Sequence, residues 1–381
     1  MAEVAGTVSP GFERVADAFA ANFEEQGDVG AAVCVYIDGA VAVDLWGGLA
    51  DPQAGRAWEA DTPVVVFSVT KGATVICIHM LAERGLLDID APVSSLWPEF
   101  AAGGKEAIPI RWVLSHRAGV AAVDAPVTFD DILGWDGVVA AIAKQTPYWT
   151  PGTRHGYHVR TFGWILGEVI RRCTGLSPGR MFSEEVATPL GLDFWIGLPE
   201  AIEPRLGRVI PPDPLEDSAA LEVAAATADT LFGKAAKGPG DLFAYDERWN
   251  TRPFHAAEMP SSNGVASGRA LARMYAATVS DVDGIRLLRP DTIRRATVVQ
   301  SEGMDEVLGW PTNVGLGFAL PPSLGPECPP GSFGHPGAGG SLGFADPGTG
   351  LGFGYVTSRM KLGPPAQDRA AALVRALRQC L

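Results

Sequence analysis

The sequence predicts an α+β fold in which both ends of the chain build one antiparallel sheet flanked by helices, with a mostly helical domain inserted between them. Runs of β-type residues cluster at 31–46 and again in the last 70 residues, while the stretches between them are mainly helical. Such a distribution favours one sheet assembled from both termini. We expect residues 1–80 and 190–381 to form the sheet domain and residues 81–189 to form the helical domain.

Local patterns support the elements of the sheet domain in order. Apolar positions at helical spacing over residues 11–26 predict an amphipathic N-terminal helix. Two β-rich runs, 31–37 and 41–46, flank Asp38-Gly39, which is a strong hairpin signal. The last 70 residues contain Gly-punctuated β-type runs, and "PPAQDRAAALVRALRQCL" predicts a closing amphipathic helix.

The middle of the chain is predicted to be helical, with one stretch that has little pattern. Residues 68–84 have an apolar face and are followed by Gly85, which predicts a helix that ends there. Further helices are expected at 161–173 and 268–279. Segment 199–260 is rich in Pro and Ala with weak periodicity, so loops and short helices are expected there.

Composition narrows the possible partners. The chain has 381 residues and a net charge of −14 without any Lys/Arg-rich run, which argues against nucleic acid and anionic membrane surfaces as partners. Five scattered cysteines without C-x-x-C spacing indicate neither a disulfide framework nor a zinc site. With no secretory signal at the N-terminus and no apolar stretch long enough to span a membrane, a cytoplasmic protein is expected.

Cofactor and metal motifs are missing from the sequence. The six histidines show no recognised ligand spacing, so no metal is expected. "GGKE" at 103–106 is not a phosphate-binding loop, because no Ser or Thr follows the lysine. No dinucleotide fingerprint is present despite 46 glycines, and we therefore expect no cofactor.

Two serines lie in nucleophile-like patterns. Residues 339–343 read G-x-S-x-G around Ser341, which matches the elbow of some serine hydrolases. An elbow needs a helix after the serine, but the sequence continues Leu-Gly-Phe-Ala-Asp-Pro-Gly, which has no helical periodicity. Ser341 is therefore not expected to be the attacking residue.

Ser68 has the better context. It follows "TPVVVF" and opens a predicted helix, so Lys71 lies one turn later on the same face. The positive end of a helix dipole favours negative charge on the serine oxygen, and a lysine in a water-poor cleft can act as a base. On its own, S-x-x-K is a short pattern that any long chain can contain by chance.

Several longer blocks accompany this motif, among them "FSVTKG", "IRWVLSHRAGV", "SNGVASGRALARMYAA" and "FGHPGAGGSLGFADP". With them, the chain resembles the serine β-lactamase and D-alanyl-D-alanine peptidase superfamily, and within it the class C branch and the related family VIII carboxylesterases. The blocks follow the family's order over most of residues 30–360. The resemblance implies the β-lactamase/transpeptidase-like fold, with the active site in the cleft between the two domains.

The resemblance also implies roles for individual residues. Ser68 would be the acylated nucleophile and Lys71 its partner, and Tyr157 would fill the tyrosine position of Y-x-N, as a phenolate or as a proton relay. The third motif, K-T-G in lactamases, aligns with 335–337, so that His335 and Gly337 would face the substrate. The backbone N–H groups of Ser68 and Ala338 would form the oxyanion hole.

Two departures from the family pattern shape the expected substrate. The Y-x-N motif reads Tyr157-His158-Val159, without the asparagine, and K-T-G reads His-Pro-Gly, without the lysine and threonine. Both changes remove groups that grip an anionic amide substrate, and family VIII esterases are similar in lacking the third-motif lysine. The expected substrate is a small neutral ester of short or medium acyl chain, and Trp149 could line its acyl pocket.

Other interpretations remain open at this stage. The same acyl-enzyme could pass its acyl group to an alcohol or amine in an acyltransferase, or could react with penicillins. Outside enzymes, the chain could be a non-catalytic binding module of the same fold. His116, His155 and His158 are expected to have structural roles, and the oligomeric state is left open.

Overall fold

Strands from both ends of the chain meet in one antiparallel sheet. A computed structural model of the protein describes residues 3–218, 221–222, 227, 229–363 and 365–381, with residues 365–367 described by their backbone alone. The strands are β1 Val4–Val8, β2 Gly30–Ile37, β3 Ala40–Asp51, β4 Arg56–Ala57, β5 Val64–Val65, β6 Phe194–Trp195, β7 Val265–Ala266, β8 Ser301–Met304, β9 Pro311–Val314, β10 Phe333–Pro336, β11 Leu342–Asp346 and β12 Leu351–Thr357. The main sheet has the order β1-β3-β2-β12-β11-β10, with β4 paired to β3.

The pairing of β2 with β12 joins the two ends of the chain. Val33 lies opposite Tyr355 in that antiparallel register, so strands some 300 residues apart in sequence are neighbours. The predicted hairpin between β2 and β3 is present, with Asp38 at φ +46° and Gly39 at φ +82°. A two-residue turn with both φ values positive matches the twist of the strands that it connects. The predicted sheet built from both termini is confirmed.

The helices fall mostly between these two groups of strands. They are α1 Glu13–Glu25, α2 Thr70–Glu83, α3 Ile110–Leu114, α4 Phe129–Leu133, α5 Asp136–Lys144, α6 Thr161–Thr174, α7 Pro178–Phe182, α8 Thr188–Leu190, α9 Leu231–Lys237, α10 Arg252–Ala256, α11 Gly268–Val279, α12 Pro290–Ala296 and α13 Pro365–Arg378. Short 3₁₀ turns cover Phe67–Val69, Val93–Ser95, Pro98–Ala101, Glu200–Arg205, Pro239–Asp241, Glu247–Asn250 and Ala338–Gly340, and a π-helical turn covers Ser183–Ala187. The α+β prediction is confirmed, and so are the helices expected near 11–26, 161–173 and 268–279.

Helices cover both faces of the sheet. Val33 and Val35 point to one face, where they pack in a cluster with α1 and α13. Cys34 and Tyr36 point to the other face, which packs against α11. Gly352 on β12 permits that close approach, because a Cβ there would lie 2.4 Å from the carbonyl oxygen of Ala272.

A buried ion pair fastens α13 to the sheet. Asp28 and Arg369 are both fully buried, and Arg369 Nη1 lies 2.7 Å from Asp28 Oδ1. The hydroxyls of Tyr355 and Thr357 donate to the same carboxylate at 2.5 and 2.8 Å. The other end of the Arg369 guanidinium donates to the carbonyl of Gly339. Because both charges have hydrogen-bond partners, the cost of burying them is offset, and the turn after β10 is held in place.

Candidate active site

Ser68 lies where a strand runs into a helix. β5 leads into the 3₁₀ turn Phe67–Val69, and α2 begins at Thr70, so the helix starts two residues later than predicted. Phe67 has φ +47°, a conformation that a bulky residue rarely adopts. Its ring is held by edge contacts with Tyr245 and Trp249, at centroid distances of 5.5 and 4.9 Å. Packing therefore fixes the strained turn that carries Ser68.

Lys71 lies against the Ser68 hydroxyl, as the S-x-x-K spacing predicts. Its Nζ is 3.1 Å from Ser68 Oγ, 2.9 Å from the carbonyl oxygen of Val159 and 3.1 Å from that of Ser261. The side chain is fully buried, and burial lowers the pKa of Lys71 well below its ordinary value. The nearby positive charge of Arg160 lowers this pKa further.

The three partners of Lys71 suit a neutral amine. An ammonium group has three N–H donors, whereas a neutral amine has two donors and one lone pair. In the neutral form, the two N–H bonds can point to the carbonyls of Val159 and Ser261, which leaves the lone pair to accept a hydrogen bond from Ser68. The arrangement can therefore receive the Ser68 proton without moving any heavy atom.

Tyr157 lies on the other side of Lys71. Its ring centroid is 4.7 Å from Lys71 Nζ, and its hydroxyl is 3.4 Å from Nε2 of His335. Burial raises the pKa of Tyr157 above its ordinary value, although a hydrogen bond with Ser68 opposes that shift. Burial therefore favours a neutral phenol over a phenolate at Tyr157.

A pair of histidines holds the Tyr157 loop. The backbone N–H of His158 donates to Nδ1 of His116 at 3.1 Å, and the N–H of Val120 donates to Nε2 of His158 at 3.1 Å. Asp305 accepts from the backbone N–H of Tyr157 at 3.0 Å. Burial lowers the pKa of His158 to about 4 and that of His116 well below its ordinary value, so both rings are neutral. These contacts match the structural roles expected for both residues.

The third motif runs along the edge of the sheet beside Ser68. His335 lies on β10, and burial lowers its pKa to about 3. A Cβ at Gly337 would lie 2.5 Å from the carbonyl oxygen of Val66, so only glycine allows this strand to approach the Ser68 turn. Ala338 opens the 3₁₀ turn that follows. The position of K-T-G thus holds a neutral imidazole and a close backbone approach.

Ser341 has no elbow around it. The residue is 3% exposed, and it is followed directly by the strand β11 rather than by a helix. Gly339 and Gly340, with φ values of +86° and +118°, form the turn before it. The G-x-S-x-G pattern therefore marks a glycine turn between two strands.

Comparison with known proteins places the chain in a family. The family model described as Beta-lactamase matches residues 15–378. The chain belongs to the beta-lactamase family. One relative, "Esterase/beta-lactamase LipL" of Mycobacterium tuberculosis (strain ATCC 25618 / H37Rv), is 37% identical over 365 residues, which cover 94% of this chain and 83% of the relative.

Two solved structures cover the whole chain. One is described as a family VIII carboxylesterase, with 38% identity, a TM-score of 0.87 and full coverage of both chains. The other is a penicillin-binding protein homolog from Caulobacter crescentus, with 31% identity, a TM-score of 0.87 and full coverage of both chains. The resemblance and the β-lactamase-like fold predicted from the sequence are confirmed, and these relatives identify this family member as a serine hydrolase.

Sequence reasoning missed three members of this beta-lactamase family site, namely the backbone carbonyls of Val159 and Ser261 and the side chain of Arg160. The carbonyls of Val159 and Ser261 hold Lys71, and Val159 occupies the position of the family's asparagine in Y-x-N. The Ser261 hydroxyl accepts from the backbone N–H of Gly163 at 2.6 Å and donates to the carbonyl of Arg160 at 3.0 Å. A backbone carbonyl that serves as an acceptor cannot be recognised from the residue type that carries it. Arg160, which directly follows this motif, can be read from the sequence.

Trp149 lies behind the Tyr157 loop. It forms a small apolar cluster with Ala121, Ala122, Val159, Ala235 and Val307, and Tyr157 packs against this cluster. The Trp149 ring meets His158 edge-on with centroids 5.8 Å apart, and its indole N–H donates to the carbonyl of Arg154 at 3.1 Å. These contacts support the loop, and a role for Trp149 in an acyl pocket stays a prediction.

Within residues 3–218 and the described segments that follow, no group of three or more His, Cys, Asp or Glu side chains is placed to hold a metal ion. Over that same portion of the chain, no helix combines the length and the apolar character needed to cross a bilayer.

Proposed function

We propose that this protein is a carboxylesterase that cleaves small esters of short or medium acyl chain through an acyl-enzyme on Ser68. The observation that carries the proposal is the 3.1 Å contact between Lys71 Nζ and Ser68 Oγ, made by a lysine whose pKa is lowered by burial. A deprotonated lysine beside a serine hydroxyl is an activated nucleophile. The two carboxylesterase-related relatives support the same class of substrate.

The acylation step would use three side chains. Ser68 Oγ forms a bond to the ester carbonyl carbon while its proton passes to Lys71 Nζ. The backbone N–H groups of Ser68 and Ala338 would stabilise the negative charge on the carbonyl oxygen. Tyr157 would then give its phenolic proton to the alkoxy oxygen as the bond between that oxygen and the carbonyl carbon breaks, and would regain a proton from Lys71, which leaves the acyl group on Ser68 and releases the alcohol.

Deacylation would reverse these proton transfers with water in place of the alcohol. Lys71 and Tyr157 would take a proton from the attacking water and return one to Ser68 Oγ as the acyl bond breaks. His335, Gly337 and Trp149 are proposed to face or support the substrate. The neutral His335 provides no cation at the position of the K-T-G lysine, so an ester without charge beside the scissile bond fits best there.

Hydrolysis of p-nitrophenyl acetate, butyrate, octanoate and palmitate by the wild type tests this proposal. Turnover with a preference for the short and medium chains is expected, together with a stable mass adduct on Ser68 after reaction with an organophosphonate ester. Faster product formation in the presence of an added alcohol, with the alcohol acylated, would instead reveal an acyltransferase. An inert wild type that takes no phosphonate label would favour a non-catalytic binding module and contradict the proposal.

A penicillin-reactive enzyme is the second candidate, because LipL carries both esterase and beta-lactamase in its name. The neutral His335 argues against tight binding of a β-lactam carboxylate at the third motif. Incubation with a chromogenic cephalosporin decides between the two candidates. Colour formation at a rate comparable to ester turnover would favour the second one.

The domain boundaries remain a prediction. We propose a sheet domain of residues 1–80 and 190–381 and a helical domain of residues 81–189, with the site between them. Cytoplasmic location likewise remains a prediction from the sequence.

A further inference from the structure

A mainly apolar recess lies next to the cluster that supports Tyr157. Its empty volume of about 360 Å³ includes space that is open to solvent, and Ala121, Ala122 and Ala235 belong both to its wall and to that cluster. Most of its wall is apolar, formed by residues such as Val127, Ile132, Val138, Trp164, Leu242 and Phe243. Two cationic residues, Arg160 and Lys234, also line it.

Arg160 is a buried cation among aromatic rings. The residue is 4% exposed, and its guanidinium lies 4.9 Å from the ring centroid of Phe243, 5.4 Å from that of Trp249 and 5.9 Å from that of Tyr245. Its Nε donates to the carbonyl of Ala236 at 3.1 Å. Among the residues that the structure describes, Nη2 is buried without a hydrogen-bond partner, and no carboxylate forms an ion pair with Arg160.

The other buried arginine among the described residues has an anionic partner. Arg369 pairs with Asp28 at 2.7 Å inside the sheet domain. A side-chain hydrogen bond with Tyr245 and the surrounding rings replace part of the hydration that the guanidinium has lost, but no carboxylate compensates its charge among the described residues. The charge of Arg160 also lowers the pKa of the nearby Lys71. A buried arginine whose charge is not compensated can bind an anion, and its planar guanidinium matches the two oxygens of a carboxylate.

We propose that Arg160 and the recess beside it bind a carboxylate carried by the substrate, so that the preferred esters bear a carboxylate at the far end of a short apolar chain. This inference rests on the proposed function and names its substrate class. The third motif lacks the lysine that grips an anion in lactamases, and Arg160 supplies a cation at a different place near Lys71 and Tyr157. The apolar wall fits the chain between the ester and its terminal carboxylate.

Lys234 provides a matched control. It lines the same recess, but it is half exposed and its Nζ already pairs with Asp124 at 3.1 Å. The Tyr148 hydroxyl donates to the same carboxylate at 2.7 Å. Because the charge of Lys234 is already compensated, its replacement should change discrimination between charged and neutral esters little.

The test compares two esters of equal chain length, p-nitrophenyl pentanoate and the mono-p-nitrophenyl ester of glutaric acid. Arg160→Met should lower kcat/KM for the glutarate half-ester about 10- to 100-fold more than for the pentanoate, as expected for losing a charged hydrogen-bond pair. Lys234→Met should leave the ratio of the two kcat/KM values within about 2-fold of the wild type, as for an exposed pair. An equal loss for both esters in Arg160→Met would show that the arginine only clamps the aromatic rings, and would overturn the proposal.

A binding measurement separates this proposal from the proposed function. Calorimetry should detect glutarate but not its uncharged diamide on the wild type, and glutarate should not bind to Arg160→Met. Glutarate binding in an enzyme that hydrolyses neither ester would refute the esterase but keep the carboxylate site. If Arg160→Met does not fold, Arg160→Lys replaces it, because lysine keeps the charge without the planar guanidinium. The preference of the wild type for glutarate over the diamide then tests whether the carboxylate site exists. Equal affinity for both compounds would end the proposal.

Discussion

Two lysines of this chain are fully buried, and only one of them faces a hydroxyl. Lys71 has Ser68 Oγ and two carbonyl oxygens as partners. Lys105 has three carbonyl partners, those of Ala102, Ala143 and Gln145, the last two at 3.0 and 2.5 Å. Both side chains are shielded from solvent, although burial lowers the pKa of Lys71 further than that of Lys105.

The difference in the third partner separates a reactive lysine from a structural one. Three carbonyls use all three N–H donors of an ammonium group, which favours the cation. Burial lowers the pKa of Lys105 only to about 8, so it is mainly charged at neutral pH. Lys71 replaces one carbonyl by a hydroxyl and has the positive charge of Arg160 nearby, and both features favour its neutral form. The hydroxyl partner, the stronger desolvation and the nearby charge of Arg160 therefore together distinguish Lys71 from Lys105.

Replacing the hydroxyl beside Lys71 should have the largest effect. Ser68→Ala removes the atom that attacks the ester, and we expect kcat/KM for p-nitrophenyl butyrate to fall by at least about 10³-fold. Ser341→Ala is the matched control, since it removes a serine hydroxyl from a buried turn, and it should retain most of the wild-type rate. A dead Ser341→Ala enzyme beside an active Ser68→Ala enzyme would reverse the assignment.

Replacing each lysine by methionine sharpens the comparison directly. Lys71→Met should lose about 10³-fold in kcat, because no general base remains, while the protein still folds. Lys105→Met should keep kcat per folded molecule but lower the melting temperature, since each carbonyl left without a donor costs about 1–3 kcal/mol. Thermal unfolding and active-site titration on both variants measure the two effects. Loss of activity in a folded Lys105→Met variant would contradict the distinction between a catalytic Lys71 and a structural Lys105.

Removing the phenol should have an intermediate effect. Tyr157→Phe keeps the ring that packs beside Lys71 and removes the proton that would go to the leaving alcohol. We expect kcat to fall by about 10²-fold, within the range for general acid–base groups. The loss should be smaller for p-nitrophenyl esters than for ethyl esters, because p-nitrophenolate leaves without a proton. An equal loss for both leaving groups would place Tyr157 outside the proton relay.

The smallest expected effect is a shift of the pH profile. Activity needs neutral Lys71, so kcat/KM should fall as the pH drops through the lowered pKa of Lys71. Arg160→Met removes a charge that lowers this pKa, which should move the acid limb of the neutral-ester profile to higher pH. His335→Gln should leave the limb in place, since the pKa of His335, about 3, lies below the range of the assay. If His335→Gln shifts the acid limb instead, the limb reports the titration of the His335 imidazole.

The sequence predicted the parts of this site that depend on spacing along one helix or one hairpin. Ser68 and Lys71 meet because they are one turn apart, and Asp38-Gly39 forms its hairpin because both residues tolerate positive φ. The Val159 and Ser261 carbonyls were not predictable, because any residue carries a carbonyl and only the fold decides which one faces Lys71.

Segment 199–260 shows a second limit. Its described part contains the short helices α9 and α10 and several 3₁₀ turns, and Trp249 from this segment packs against Phe67. Short helices stabilised by tertiary packing leave weak periodicity in the sequence. Consequently, the contribution of this segment to the Ser68 turn became visible only in three dimensions.

The bond from Arg369 to the Gly339 carbonyl bears on how the enzyme is made. Ser68 and Lys71 emerge from the ribosome about 300 residues before the arginine that fixes the turn at Ala338. The β2 strand likewise waits for β12, its partner from the other end of the chain. A nascent chain thus carries the proposed nucleophile for most of its synthesis without the finished turn at Ala338, and we expect the proposed ester cleavage to begin only once translation has delivered α13.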